Sequence, residues 1–342
     1  MIIKVVSVQN SNRESQSSIL RLYNYLLLAK YNVEYISVGN DFFHKLIGRD
    51  KRLRDIFCWR NYLTFSFFYF PGLIKFKPID KCFSNLWARS YLKKLKLYES
   101  SPQTVLVFEA GVTAVMVREI MKSPLIPSIH YRVNDPIDAF RSPSAYVREC
   151  HDYILKSDIS ELVISSPAPS CNPDIIHIPP GCESISMRHT AQKQILYWGV
   201  FPISRDNIVS IMDAYPSAIV KYTGHQDHQL KGTEYLGILA PESLSELISD
   251  TCMGVMIFPD DRFHWWLWSN KMMLMKSLKM PVIGMLSSSA LDVYAEFPND
   301  TQTFVEHGLI RLGQEVCEQP STVFPHYDWG TFSKKIIGDC PV

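Results

Sequence analysis

The stretch "CESISMRHTAQKQILYWGVF", residues 182–201, decides how this chain is organised. Its first part is polar, charged and contains Ser, which is typical of a linker between domains. Its last part, "ILYWGVF" (195–201), is a short apolar run of the kind that forms a buried strand. An alternation of strand and helix patterns ends before this stretch and starts again after it. The sequence therefore predicts two α/β domains.

The N-terminal alternation begins with the apolar run "IIKVVSV" (2–8), a helical pattern and a second strand, "NVEYISVG" (32–39). It continues with "TVLVFEAG" (104–111), another helical pattern and the strand "LIPSIHYRVND" (125–135). Strands that are connected by helices pair in parallel. We therefore predict that residues 1–182 form a doubly wound sheet.

The C-terminal alternation has further strand candidates with helical patterns between them. They are "SAIVKYTG" (217–224), "TEYLGIL" (233–239), "MGVMIFP" (253–259) and "PVIGML" (281–286). We predict a second domain over residues 183–325 and a segment, 326–342, that packs back toward the first domain. Two such domains face an interdomain cleft, and ligands of open α/β sheets bind beyond the carboxyl ends of the strands.

Composition excludes several classes of protein. The chain has 342 residues, of which 46% are hydrophobic and 20% charged, and this is typical of a globular protein. Its net charge of +1 gives no reason to expect nucleic acid as a partner. No apolar run reaches the roughly 18 residues of a transmembrane helix, and the N-terminus does not resemble a signal peptide. We therefore expect a cytoplasmic protein whose eight cysteines are reduced.

The charge is concentrated in an insert over residues 41–97, which has 13 Lys and Arg against four Asp and a net charge of +9. The insert also contains the aromatic stretch "FCWRNYLTFSFFYFPGLIKFK" (57–77). Basic side chains beside aromatic ones suit an anionic membrane surface. The alternative is a pair of helices that pack the aromatic side chains inside and solvate the lysines outside. The candidate membrane-contact residues are Arg52, Arg54, Lys93 and Lys94.

Familiar catalytic motifs are absent from the sequence. There is no P-loop motif, no GxGxxG after the first strand, no HExxH and no GxSxG. The sequence "HQDH" (225–228) could chelate a metal, but two His in a polar loop are more typical of plain surface. We therefore expect no metal and no cofactor.

A lysine stands at the head of an apolar helical pattern in "HWWLWSNKMMLMKSLKMPVIG" (264–284). Ser269 and Asn270 are good helix caps, and Lys271 follows them. The N-terminus of a helix and a flexible ammonium group together favour a phosphate. The alternative is a solvated lysine in the first turn, although a positive charge is unfavourable at that end of a helix.

Four stretches of the chain, in this order, resemble the C-terminal domain of GT-B glycosyltransferases. They are "IIHIPPGC" (175–182), "ILYWGVF" (195–201), "TEYLGILAPESLSELISDTCMGVMIFP" (233–259) and "NKMMLMKSLKMPVIG" (270–284). The resemblance covers residues 175–285, and the N-terminal half resembles these enzymes in its architecture. Large retaining families of this fold have two glutamates at the positions that Trp266 and Leu274 occupy here, so a retaining reaction is in doubt.

A second resemblance narrows the family. "HYRVND" (130–135) is similar to a strand end in the xanthan-pathway glucuronosyltransferases (the GumK type). Those enzymes invert the anomeric centre, associate with membranes and act on a lipid-linked oligosaccharide. The resemblance implies two Rossmann-like domains that face a cleft. It also implies a glycosyltransferase that is peripheral on the inner face of the cell membrane.

The resemblance implies a nucleoside diphosphate sugar, with UDP as the expected nucleotide, whose diphosphate lies against the helix of Lys271. The acceptor is expected to be a lipid-linked oligosaccharide or a polysaccharide. The expected donor-binding residues are Gly199, Gly224, Gly237, Ser269, Asn270 and Lys271.

Inverting transfer needs a base that takes the proton of the acceptor hydroxyl. Asp135 follows a strand of the first domain and is the candidate, with Asp138 as a weaker rival. Asp135 also precedes Pro136, so a simple turn is the alternative. His130 and Arg132 are expected to orient the base or contact the sugar, and Glu109 is a third carboxylate at a strand end.

Two other functions are compatible with the same architecture. A sugar-nucleotide epimerase needs no acceptor and no membrane surface. A non-catalytic relative that only binds sugar nucleotides needs no base at position 135.

Overall fold

The computed structural model defines most of both halves of the chain. The described residues are 1–8, 18–38, 62–64, 71–72, 74–94, 104–123, 127–134, 137, 144–168, 170, 172–181, 193–198, 203–224, 227–237, 239, 241–251, 253–257, 269–278, 280, 282–285, 303–306, 309–312 and 329–337. Several residues singled out by the sequence lie outside them: Arg52, Arg54, Asp135, Pro136, Asp138, Gly199, His225 and Trp266.

The chain forms two compact units. The first unit contains Met1–Pro179 together with Trp329–Val342, and the second contains Pro180–Asp328. Among the described residues, each unit has its own seven-stranded sheet. The second unit is thus formed by one continuous segment, and the C-terminal residues belong again to the first unit.

The sheet of the first unit is parallel throughout its described pairs. Its strands are β1 (Ile2–Ser7), β2 (Val33–Ser37), β3 (Tyr62–Thr64), β4 (Thr104–Glu109), β5 (Ser128–Arg132), β6 (Leu162–Ser166) and β7 (Ile175–His177). Their order across the sheet is β3-β2-β1-β4-β5-β6-β7. The chain moves outward from β1 in one direction and from β4 in the other. The switch point, outside which ligands bind in such sheets, therefore lies between β1 and β4.

The helices between the strands match the predicted patterns, with α2 and α4 as additions. They are α1 (Ser18–Leu28), α2 (Lys77–Lys94), α3 (Thr113–Ile120), α4 (Ala145–Leu155), α5 (Arg205–Ala214), α6 (Pro241–Ser249), α7 (Asn270–Ser277) and α8 (Trp329–Ile337). None of these helices is long and apolar enough to cross a bilayer.

Helices α1 and α8 cover one face of the first sheet. The buried side chains of α1 recur with helical spacing at Ile19, Leu22, Tyr23 and Leu26, so one stripe of the helix faces the strands. The same core contains Val5 and Val107 of the sheet and Phe332, Ile336 and Ile337 of α8. Helix α8, the last described helix, is therefore part of the same core as β1, the first strand.

The sheet of the second unit is parallel except at one edge. Its strands are β8 (Gln194–Tyr197), β9 (Ile219–Tyr222), β10 (Thr233–Tyr235), β11 (Met253–Ile257), β12 (Val282–Met285), β13 (Thr303–Glu306) and β14 (Leu309–Leu312). Their order is β10-β9-β8-β11-β12-β14-β13, and the switch point lies between β8 and β11. The antiparallel hairpin β13–β14 at the edge was not predicted. The predicted fold class of two Rossmann-like sheets is confirmed.

Candidate functional site

A row of polar side chains crosses the first sheet at the carboxyl ends of its strands. Ser7 pairs with Ser37, Glu109 with Arg132, and Arg132 with Ser165 in the strand registers. Paired residues of neighbouring parallel strands point to the same face of a sheet. All five side chains are buried. Burying polar groups costs free energy, so an apolar core would normally avoid such a row. We therefore take these five residues, at the carboxyl ends of parallel strands, as a candidate site.

The centre of this row lies at the switch point of the first sheet. Ser7 ends β1 and Glu109 ends β4, the two strands between which the chain order reverses. The hydroxyl of Ser7 donates a hydrogen bond to Oε2 of Glu109. The carboxylate of Glu109 therefore lies where ligands bind in sheets of this type.

Glu109 is also connected to the residue that precedes Asp135. The amide Nδ2 of Asn134 donates to Oε1 of Glu109 over 2.7 Å. Oδ1 of Asn134 accepts a hydrogen bond from the hydroxyl of Ser18, at the start of α1, over 3.2 Å. Both ends of the Asn134 amide are thus held by hydrogen bonds, and Asn134 directly precedes Asp135 in the chain.

Arg132 is a fully buried cation beside Glu109. Burial lowers the pKa of Arg132 to about 9, while the neighbouring Glu109 raises it, so the guanidinium is charged at neutral pH. Nη1 donates to the hydroxyl of Ser165 over 3.4 Å, and the ring centroid of Phe332 in α8 lies 4.7 Å from the guanidinium carbon. Within the described residues, Nε and Nη2 have no hydrogen-bond partner. The buried positive charge of Arg132 is therefore stabilised mainly by the charge of Glu109 and by the ring of Phe332.

His130 lies on the same face of β5, two residues before Arg132. Its Nε2 is 2.6 Å from the hydroxyl of Ser165, and its Nδ1 is 3.1 Å from the carbonyl oxygen of Ile336. A carbonyl only accepts, so Nδ1 carries the proton and Nε2 accepts from Ser165. Burial, with the charge of Arg132, lowers the pKa of His130 to about 3. The expected contact of His130 with a sugar does not fit a neutral ring whose two nitrogens are both engaged.

The second unit has its own polar contact at a switch point. Lys271, the second residue of α7, donates a hydrogen bond from Nζ to the carbonyl oxygen of Trp198, directly after β8. Its ammonium also lies 5.7 Å from the centroid of the Tyr197 ring. Burial lowers the pKa of Lys271 to about 8. The alternative of a solvated lysine in the first turn is therefore wrong, because Lys271 is half-buried against the end of β8.

The residues around Lys271 hold α7 in place. The hydroxyl of Ser269 accepts a hydrogen bond from the backbone N–H of Met272 over 3.3 Å, as a helix cap does, and Asn270 is the first helical residue. On β11, Gly254 packs against this helix: a Cβ there would lie 2.6 Å from Cε of Met275. The glycine thus lets α7 approach the sheet closely.

The two described glycines of the predicted donor site lie next to each other. Gly224 and Gly237 have φ angles of +144° and +66°, which favour glycine. The N–H of Gly224 donates to the carbonyl of Gly237 over 3.0 Å, and the hydroxyl of Tyr235 donates to the carbonyl of Gly224 over 2.7 Å. Among the described residues, nothing lies within 4 Å of a Cβ added at either glycine. The described part of the chain therefore leaves the backbone at these two glycines uncovered.

The "HQDH" stretch has structural roles where it is described. Oδ1 of Asp227 accepts from the hydroxyl of Tyr222 over 3.0 Å, and Nε2 of His228 donates to the carbonyl of Ile203 over 2.7 Å. His225 lies outside the described residues. In the described part of the chain, no three His, Cys, Asp or Glu are grouped as metal ligands would be.

Sequence reasoning missed Ser7, Ser165 and Asn134. Ser7 and Ser165 lie at or near the end of strands, and a polar residue at the end of an apolar strand is a signal that could have identified both. Trp198, which follows β8, was missed because its role is played by a backbone carbonyl, which any residue type supplies.

Comparisons with known proteins support the fold. No family model and no curated protein matches the chain by sequence. The crystal structure of TarM is similar over 99% of this chain and 92% of that chain, with 8% identity and a TM-score of 0.53. Two weaker likenesses have 8% and 10% identity. They are UGT89C1 of Arabidopsis thaliana complexed with UDP-L-rhamnose (TM-score 0.45, 86% and 89% covered) and UDP-GlcNAc 2-epimerase of Methanocaldococcus jannaschii (TM-score 0.44, 86% and 87% covered). With its two Rossmann-like sheets, the chain has the GT-B fold.

Proposed function

We propose that this protein is an inverting glycosyltransferase that uses a UDP-sugar and a lipid-linked oligosaccharide or polysaccharide acceptor. The observation that carries the proposal is the position of Lys271. Its ammonium lies at the N-terminus of α7 and at the carboxyl end of β8, which borders the switch point of the second sheet. A cation, a helix N-terminus and a switch point together suit a diphosphate.

The diphosphate would replace a weak partner of Lys271 with a strong one. Within the described residues, the ammonium contacts the carbonyl of Trp198 and the ring of Tyr197, and its pKa is lowered by burial. A phosphate oxygen in that place would favour the charged form and restore the pKa. Ser269, whose hydroxyl oxygen accepts from the backbone, retains its own O–H as a donor to the same anion. No described residue lies within 4 Å of a Cβ added at Gly224 or Gly237, and this suits a backbone that the nucleoside approaches.

The chemistry requires a base in the first unit. Asp135 would take the proton from the acceptor hydroxyl as its oxygen forms a bond to the anomeric carbon. The bond between that carbon and the diphosphate breaks at the same time, and UDP leaves with the electron pair. Lys271 and the N-terminus of α7 would stabilise the negative charge that develops on the leaving diphosphate.

Glu109 has a different role in this proposal from that of a second base. Its carboxylate accepts from Ser7 and Asn134 and neighbours the charged Arg132. Two donated hydrogen bonds and one neighbouring positive charge thus engage this carboxylate. We therefore assign Glu109 as a positioning residue that holds Asn134 and, through the chain, the start of the segment that contains Asp135.

A titration with UDP followed by calorimetry tests the donor site. We expect UDP to bind the wild-type protein and to bind a Lys271→Ala variant more weakly. Transfer itself is tested by incubating the protein with UDP-sugars and lipid-linked glycans and measuring the release of UDP. Failure of every UDP-sugar to bind would contradict the proposal.

The epimerase alternative is separated by omitting the acceptor. An epimerase converts the sugar of a UDP-sugar without any acceptor, whereas the transferase leaves it unchanged. A protein that binds UDP but neither transfers nor converts the sugar would belong to the non-catalytic alternative.

A further inference from the structure

We propose that a groove beside helix α4 binds an anionic sugar chain, that is, a glycan whose units carry carboxylates. This α4 groove has a volume of about 520 Å³, within the roughly 300–1,000 Å³ of ligand clefts. Its walls include Arg118 of α3 and, on α4, Arg148, Glu149, Asp152, Tyr153 and Lys156. The site goes beyond the proposed function, because it requires neither a nucleotide sugar nor a transfer reaction.

The α4 groove lies on the face of the first sheet opposite to the candidate site. Tyr131 comes between His130 and Arg132 on β5, so its side chain points to the other face of the sheet. Its hydroxyl is 2.9 Å from Nδ1 of His151, and α4 therefore covers that face. A ligand in the groove is thus separate from the row of polar side chains that contains Glu109.

The α4 groove carries an excess of positive charge. Among the described residues, four cations and two carboxylates line it, with Lys77 of α2 as the fourth cation. Glu149 pairs with Arg118 at 3.0 Å and with Lys77 at 3.1 Å, so two cations share one carboxylate. The hydrogen bond from Arg118 lowers the pKa of Glu149 and keeps it ionised. The remaining positive charge favours an anionic ligand.

Several groups that line the α4 groove have donors or acceptors that no described residue uses. Arg118 donates through Nη1 to Oε1 of Glu149 and to Sγ of Cys150, and its Nε and Nη2 donate to no described residue. Asp152 and Lys156 have no ion-pair partner in the described part of the chain. Hydroxyl and carboxylate groups of a ligand can bind such donors and such a carboxylate.

Tyr153 adds an aromatic surface to the α4 groove. It is 49% exposed, and the guanidinium carbon of Arg118 lies 5.0 Å from its ring centroid. The C–H groups of a sugar pack well against the electron-rich face of an aromatic ring. An aromatic ring beside charged hydrogen-bonding groups therefore suits a sugar unit.

The two carboxylates of the α4 groove favour a glycan over other polyanions. A polyphosphate or an acidic peptide concentrates negative charge and offers few donors, so Glu149 and Asp152 would oppose it. A glycan has hydroxyl groups that donate to carboxylates, and its own carboxylates are spaced one to a unit. A neutral glycan would leave the positive charge of the groove without a partner.

Calorimetry with the full chain tests glycan binding. The probes are short oligogalacturonates and oligomannuronates, with neutral maltooligosaccharides of the same length and polyglutamate as controls. We expect a uronate oligomer to bind more tightly than either control, and its affinity should fall with added salt, which screens exposed charges. No binding of either uronate oligomer, or equal binding of polyglutamate, would overturn the inference.

Variants of the groove locate the binding. Tyr153→Ala should weaken uronate binding about two- to tenfold, the contribution of one aromatic contact, and Tyr153→Phe should bind like the wild type. Lys156→Gln should weaken binding up to about fivefold, as expected for one exposed ion pair. Both side chains are exposed, so the variants keep their core. The matched control is Lys30→Gln, at an exposed lysine after α1, and it should have no effect. Wild-type affinity in both Tyr153→Ala and Lys156→Gln would overturn the inference.

Titration with UDP separates this inference from the proposed function. Tyr153→Ala should bind UDP with wild-type affinity, because α4 belongs to the first unit and Lys271 to the second. Uronate binding without UDP binding would support the α4 groove and contradict the proposed function. UDP binding without uronate binding would remove the groove and leave the donor site standing.

Discussion

The amide of Asn134 donates a hydrogen bond to Oε1 of Glu109 over 2.7 Å, and this contact joins the ends of β4 and β5. Glu109 in turn accepts from Ser7 at the end of β1. Three strand ends are therefore connected through one carboxylate at the switch point of the first sheet. The segment that contains Asp135 begins at this connection.

Removal of the Glu109 carboxylate should strongly destabilise the first unit. Glu109→Ala leaves the buried guanidinium of Arg132 without its countercharge, and breaking such a pair costs about 3–5 kcal/mol. Glu34→Ala is the control, because the partly exposed Glu34 pairs with Lys4 at the long distance of 3.7 Å and should contribute about 0–1 kcal/mol. Urea unfolding of both variants measures the difference. Equal free energies of unfolding would show that Arg132 does not depend on Glu109.

Asp135→Asn should lower turnover by roughly two to four orders of magnitude, the usual contribution of a general base. The amide keeps the size of the carboxylate but cannot accept the proton. UDP affinity should remain, because the proposed donor site is in the other unit. Asp138→Asn serves as the control and should have a smaller effect. A variant that turned over at the wild-type rate would remove Asp135 from the mechanism.

Asn134→Ala should lower turnover by up to about a hundredfold, the size of effect that a misplaced catalytic group has. The variant loses the hydrogen bonds to Glu109 and Ser18 while Asp135 itself is unchanged. The pH dependence of turnover should therefore keep the wild-type pKa values and only its height should fall. A shifted pH profile would instead mean that Asn134 acts on the proton affinity of the base.

Lys271→Ala should weaken UDP binding about tenfold to a hundredfold, because hydrogen bonds to charged groups contribute about 1.5–3 kcal/mol. In the wild type, UDP affinity should fall as the pH rises above about 8, where the free protein loses the Lys271 proton. Lys271→Arg stays charged and should not show this fall. Calorimetry between pH 7 and pH 10 measures both, and parallel curves for the two proteins would exclude Lys271 as the titrating group.

Folding should become less favourable below pH 6.5 because of His130. Its pKa is about 3 in the folded protein, whereas an unfolded His has its ordinary pKa near 6.5. Between these values the unfolded chain binds a proton that the folded chain does not. The free energy of unfolding should then fall by up to about 1.4 kcal/mol for each pH unit. His130→Gln should flatten this dependence in urea unfolding between pH 4 and pH 7, and an unchanged slope would contradict it.

The sequence was sufficient for most strands and helices of the two sheets, because each carries its own local pattern, although it did not predict α2, α4 and the hairpin β13–β14. The run "IIKVVSV" became β1, and the capping residues before Lys271 became the start of α7. It was not sufficient for contacts that the strand register creates. Ser7 and Glu109 are 102 residues apart, and Lys271 is 73 residues from Trp198. Which residues share a row depends on strand order, and strand order is a property of the whole sheet.

His130 is a second residue whose contacts could not be predicted from its place in the sequence. Its position at a strand end indicated a ligand contact, but its ring nitrogens face Ser165 and the carbonyl of Ile336. Ile336 belongs to a helix that is 206 residues away in sequence. The return of that helix to the first sheet could be expected, but its contact with this side chain could not.

The return of α8 also sets the order in which the protein can be completed during synthesis. Phe332, Ile336 and Ile337 belong to the same core as α1 and β1, yet they leave the ribosome only after the whole second unit. Domains generally fold as they emerge, so the second unit can close while the first still lacks part of its core. The α8 side chains that pack against α1, including the Phe332 ring that lies against Arg132, are then the last to join the core. A nascent chain that stalls before Trp329 would present an open apolar surface to chaperones and proteases, even with every strand of both sheets already made.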